Sequence, residues 1–137
     1  MKMNKKVILA IIMAFSAILF SVSCDNDNVV GSDEGVIQIN DVVFTVTDRT
    51  VSSNKLTATG TVKNTGSSKI SPLWYIDGEF YADSNKTLIL GGDVRSMNIP
   101  LNAGVETIWT LELSDPDIAE GNYPDFVVAN LRAYYKD

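Results

Sequence analysis

From Val36 onward, apolar side chains recur at every second position, and the runs that carry this alternation are divided by short clusters of Gly, Asn, Asp and Ser. A period of two puts neighbouring side chains on opposite faces of a strand. Leu56, Ala58, Gly60 and Val62 therefore share one face, with Thr57, Thr59 and Thr61 on the other. Over residues 70–82, Trp74, Ile76, Gly78 and Phe80 line one face, and Tyr75, Asp77, Glu79 and Tyr81 the other. A third run aligns Val105, Thr107, Trp109, Leu111 and Leu113. Residues 36–47 are rich in β-branched side chains and predict one long strand or two broken ones. Residues 87–90 predict a return strand running into a bulge or bend at Gly91-Gly92-Asp93, and residues 94–101 a weaker strand. Residues 126–135 supply the last one.

The breaks are as informative as the runs. Ser52-Ser53-Asn54, Asn64-Thr65-Gly66, Asp83-Ser84-Asn85-Lys86 and Asn102-Ala103-Gly104 are turn sequences. Only residues 114–125 suit a short helical turn, with Asp115 as its cap and Pro116 in its first position. Strands this short, with turns about every ten residues and no helical period, predict an all-β, immunoglobulin-like antiparallel two-sheet sandwich of about seven strands. It would occupy residues 36–137.

The beginning of the chain follows a different rule. Lys2, Lys5 and Lys6 precede a nearly unbroken apolar run over residues 7–20, and small residues lead from there to Cys24. Basic, apolar and small-residue regions in that order predict a secretory signal peptide over residues 1–23. The run is shorter than the roughly 20 apolar residues a membrane span requires, and no basic flank follows it. Ser21-Val22-Ser23-Cys24 resembles the lipobox of bacterial lipoproteins, with Ser21 where an apolar residue is usual. The resemblance implies that Cys24 is the lipid attachment site, carrying fatty acyl chains such as palmitate, and becomes the mature N-terminus. As the only cysteine, Cys24 has no internal disulfide partner, and acylation would remove an exposed thiol. Residues 24–35 are mostly Asp, Asn, Ser and Gly and read as a flexible acidic tether.

Charge narrows the partners. Residues 1–23 hold three of the 11 basic side chains and none of the 17 acidic ones, so the rest of the chain carries 8 against 17 and a formal charge of −9 in place of −6. Such a surface repels nucleic acid, which is bound through clustered Lys and Arg. Attachment to the membrane would rest on the lipid at Cys24, and more than one acyl chain is needed for stable anchoring. The expected location is the bacterial cell envelope: the outer membrane, on its periplasmic or surface face, before the inner membrane.

Three stretches of the domain look like a known family. Gly60-Thr61-Val62-Lys63-Asn64-Thr65-Gly66, Ile76-Asp77-Gly78-Glu79-Phe80-Tyr81-Ala82-Asp83 and residues 99–111 resemble the FxLYD family of small bacterial immunoglobulin-like domains, over residues 36–136. Ala103-Gly104-Val105-Glu106 stands where that family has Pro-Gly-Glu, and Ala82 separates Tyr81 from Asp83. The resemblance implies the sandwich fold and a setting outside the cytoplasm, and it supplies no catalytic residue.

The residues themselves offer little chemistry. There is no histidine, which removes the usual general base, the usual zinc ligand and both common nucleophile-histidine arrangements. Gly91-Gly92 lacks the Lys and the Ser or Thr of a phosphate loop. The chain is therefore read as no enzyme, with no catalytic residue, no metal and no cofactor. Asp77 and Glu79, with Asp83 beyond them, are either the solvated face of a half-buried sheet or a hard-cation or acid–base pair. Asp115, Asp117, Glu120 and Asp125 pose the same choice between a solvated loop and a calcium loop, without the spacing of an EF-hand. Tyr75 and Tyr81 share the Asp77 and Glu79 face, so these four mark the candidate interaction surface. The expected function is a non-catalytic, lipid-anchored module that docks another envelope protein. The alternative is a glycan or calcium binder using that face or the loop over residues 114–125.

Overall fold

The protein is described from a computed structural model, over residues 35–119 and 121–137. The signal peptide, Cys24, the tether up to residue 34 and Glu120 lie outside the described residues. Seven strands form two antiparallel sheets, and among the described residues there is no helix: β1 Val36–Ile39, β2 Val42–Ser52, β3 Lys55–Asn64, β4 Trp74–Tyr81, β5 Ile89–Met97, β6 Glu106–Ser114 and β7 Val127–Lys136. One sheet runs β1-β7-β4-β5 and the other β2-β3-β6. This is the two-sheet sandwich that the alternation predicts.

Burial follows the period of two. Along β3 and β4 every second residue is buried, and the inward sets, Leu56, Ala58, Gly60, Val62 and Trp74, Ile76, Gly78, Phe80, are those shared by one face in the sequence. With Trp109, Leu111 and Phe126 they form the core between the sheets, where each fully buried large side chain contributes roughly 1.5–3 kcal/mol. Gly60 makes room for that packing. A Cβ there would stand 1.9 Å from the Thr45 carbonyl oxygen and 2.6 Å from Trp109 Cζ2. The β2–β3 register slips between Val46 and Asp48, next to this crossing.

Several boundaries depart from the sequence reading. Residues 36–47 take the broken form of the two expected, and what the sequence reading lacked is that the break sends β1 and β2 into different sheets. Residues 70–73 are not part of β4, since Ile70 forms an isolated bridge with Leu101. The two strand candidates around Gly91-Gly92 merge into one, β5, with the irregularity placed opposite Phe80 and Tyr81. In place of the helical turn expected over residues 114–125 there are separate tight turns, closed by Ile118 N to Asp115 O, Asn122 N to Ala119 O at 2.9 Å and Phe126 N to Tyr123 O at 3.1 Å. Asp115 Oδ1 accepts from Asp117 N at 2.8 Å and the Asp115 carbonyl from Ile118 N at 3.0 Å. Buried Ile118 then anchors the loop to the core. Asn64, which reads as a turn residue, is 1 % exposed, and its amide donates to Ser68 O at 2.8 Å and Leu101 O at 3.0 Å. Those bonds satisfy a polar group that would be costly to bury alone.

Candidate functional site

The outward face of the β1-β7-β4-β5 sheet gathers all four residues of the candidate surface, because Tyr75, Asp77, Glu79 and Tyr81 alternate outward along β4. Antiparallel pairing sets β7 residues beside them: Tyr134 opposite Tyr75 and Arg132 opposite Asp77. Arg132 grips Asp77 with a fork. Its Nε donates to Oδ1 at 2.9 Å and its Nη2 to Oδ2 at 2.8 Å, the planar geometry that makes arginine–carboxylate pairs strong. The Tyr75 and Tyr134 rings stack with centroids 5.6 Å apart, and the Lys136 ammonium sits 4.3 Å from the Tyr75 centroid. Arg132 also lies over the Tyr134 ring at 5.7 Å.

Farther along, the ladder slips between Asp77 and Glu79, so that Asn130 and Leu131 together face Gly78. Asn130 takes a positive φ of 52° at this bulge, a conformation that Asn tolerates better than most residues. Its amide thereby reaches Glu79 Oε2 and, at 3.0 Å, the Tyr81 hydroxyl. Tyr81 in turn donates its hydroxyl hydrogen to Glu79 Oε2 at 2.6 Å. The Tyr81 hydrogen bond, followed by that of Asn130, holds the Glu79 carboxyl below its ordinary value. Donating to a carboxylate raises the Tyr81 hydroxyl above its own. Burial raises Tyr134 as well, with the Asp77 charge adding to it.

The sequence reading names only the β4 half of this surface. Arg132, Asn130 and Lys136 escape it because residues 126–135 do not alternate cleanly, the bulge changing their phase. The one signal for it was an asparagine inside an apolar run, Val127-Val128-Ala129-Asn130-Leu131. Asp83 is drawn into the β4–β5 turn, where its Oδ1 accepts from Asn85 N at 2.9 Å. Among the described residues, no three His, Cys, Asp or Glu side chains converge as a metal site would require. A cleft of roughly 340 Å³ is lined by Gln38, Asn40, Asp41, Ser67, Ser68 and Lys69 among others. The chain matches no protein-family model, no curated protein and no solved structure.

Proposed function

We propose that the chain is a lipid-anchored protein of the bacterial cell envelope whose outward β4–β7 face docks another envelope protein. The observation that carries this reading is the mutual fixing of the outward-facing side chains. Tyr75, Asp77, Glu79, Tyr81, Asn130, Arg132 and Tyr134 each have a partner on the same face. Tyr and Arg are the residues that dominate protein interfaces, and side chains already held in place lose less entropy when a partner arrives. The FxLYD resemblance and the lipobox-like approach to Cys24 support the setting. The glycan alternative is less favoured, because Tyr134 is only 4 % exposed and Tyr75 is already in contact with Tyr134 and Lys136. Neither ring is a bare platform for a sugar.

Ser96 lies opposite Tyr75 on β5 and is exposed, so a photo-crosslinking amino acid can replace it without touching the network. In living cells it should yield a discrete protein adduct that Arg132→Ala removes. The same probe at Thr57, on the outward face of the other sheet, should yield none. Absence of an adduct from position 96, or the same adduct from both positions, overturns the proposal.

A further inference from the structure

One end of the sandwich carries an exposed apolar patch among polar residues. Three hydrogen bonds define that end: Asp137 N to Gly35 O at 2.8 Å, Ser71 N to the Tyr135 hydroxyl at 3.2 Å, and Trp74 Nε1 to Ile99 O at 2.9 Å. The Trp74–Met97 pair and the Ile70–Leu101 bridge hold residues 71–73 beside residues 98–100. Leu73 and Ile99 project there at 45 % and 50 % exposure, flanked by exposed Pro72 and Pro100. Val43, Val105 and Ile37, all exposed, belong to the same end, whereas among the described residues the opposite end exposes Leu88 and Ile89. That far end carries Asp83, Asp115, Asp117 and Asp125 in its turns.

We infer that this end is a bilayer-contacting tip, with Pro72, Leu73, Ile99 and Pro100 seated in the interfacial layer of the membrane to which the chain is anchored. The inference rests on the lipid-anchor reading above. One observation chooses a membrane over other occupants. Residue 34 is bonded to Gly35, so the chain that leads back to Cys24 joins the domain at this end and not at the other. Short exposed apolar patches rimmed by polar residues mark contact surfaces, and a weak second contact adds to an acyl anchor because the anchor has already localised it.

Trp74 is a built-in reporter, since its indole nitrogen is bonded to the tip. The full chain, purified from membranes with its acyl groups, would be placed in phosphatidylcholine liposomes whose acyl chains are brominated near the head group. Tryptophan emission should be quenched, and Leu73→Ser/Ile99→Ser should lose at least half of that quenching while still floating with the liposomes. Leu88→Ser at the far end should leave it unchanged. Emission in detergent, equal for all variants, confirms folding. A chain that incorporates labelled fatty acid and floats but is not quenched, as when a protein covers the tip instead, overturns the tip alone. Quenching that survives the double substitution, or falls equally with Leu88→Ser, also overturns it. A chain that neither labels nor floats overturns the anchor and the tip together.

Discussion

The two outward faces of the sandwich come from the same alternation yet are organised in opposite ways. On the β2-β3-β6 sheet, Thr57, Thr59 and Thr61 face solvent beside Thr110 and Ile108. Their side chains are joined by a 3.3 Å contact between the Thr59 and Thr110 hydroxyls, Thr47 Oγ1 donates to Thr59 O at 3.2 Å, and the ion pair there, Lys55–Glu112, is 39 % and 48 % exposed. The β1-β7-β4-β5 face instead carries the Asp77–Arg132 fork, the stacked tyrosines and the Glu79–Tyr81–Asn130 group. A face that only has to be wet can be built from β-formers. One in which each side chain sets the position of the next has a further constraint, and partner recognition is the reading given to it here.

The sharpest break in the comparison lies beneath the faces. Each sheet has an inward glycine, but an added Cβ at Gly60 meets a backbone carbonyl while at Gly78 it meets the ends of Leu131, Leu111 and Val128 at 2.8–3.3 Å. Gly60→Ala should cost more than about 4 kcal/mol and leave little folded protein. Gly78→Ala should cost about 1–3 kcal/mol, since flexible side chains can yield. Urea denaturation checks both. Among surface charges, a double-mutant cycle should give about 1 kcal/mol for Asp77–Arg132, whose carboxylate is 15 % exposed, and under about 0.5 kcal/mol for Lys55–Glu112. Equal couplings would erase the distinction between the faces.

The tryptophans refine it. Trp74 donates to Ile99 O, whereas buried Trp109 Nε1 has no partner among the described residues and its ring meets Phe44 edge-on at 6.3 Å. Trp74→Phe should therefore cost about 0.5–1.5 kcal/mol more than Trp109→Phe in the same denaturation series. The smallest effect is in pH. Because the folded Glu79 value is lowered, its contribution is present above the ordinary 4.5 and is lost as pH falls through the lowered value. Tyr81 has a raised folded value, so its contribution is present below the ordinary 10.0 and is lost as pH rises through the raised one. Melting curves should show that Glu79→Gln flattens the acid limb, and that Tyr81→Phe flattens the alkaline limb and weakens the acid one.

Much of the sandwich was legible because period-two burial is local: Leu56, Ala58 and Val62, or Trp74, Ile76 and Phe80, announce their face through neighbours two residues away. The β4 half of the candidate surface was readable for the same reason. Its β7 half was not, since which residue stands opposite Asp77 depends on a strand more than fifty positions later and on a bulge within it. Asn64 was hidden similarly. Its amide serves a carbonyl at Leu101, and nothing in Asn64-Thr65-Gly66 distinguishes that pin from an ordinary turn. The break between β1 and β2 was foreseen as one of two options, but the move to the other sheet is decided by β7, which β1 pairs through all four of its residues.

That pairing of the first strand with the last gives the domain a nearly circular chain. Asp137 N already donates to Gly35 O, so a short peptide joining them would close a ring, and new ends could be opened in the exposed turn at residues 83–86 without disturbing a core residue. Under the anchor and tip readings proposed above, such a permutant, tethered through its new start, would be held the other way up, with the turns of Asp83, Asp115 and Asp117 inward and its apolar prolines, Leu73 and Ile99 toward solvent. Orientation thus becomes a variable separable from composition, and the order in which the chain is threaded, rather than any side chain, decides which end of the molecule its surroundings meet.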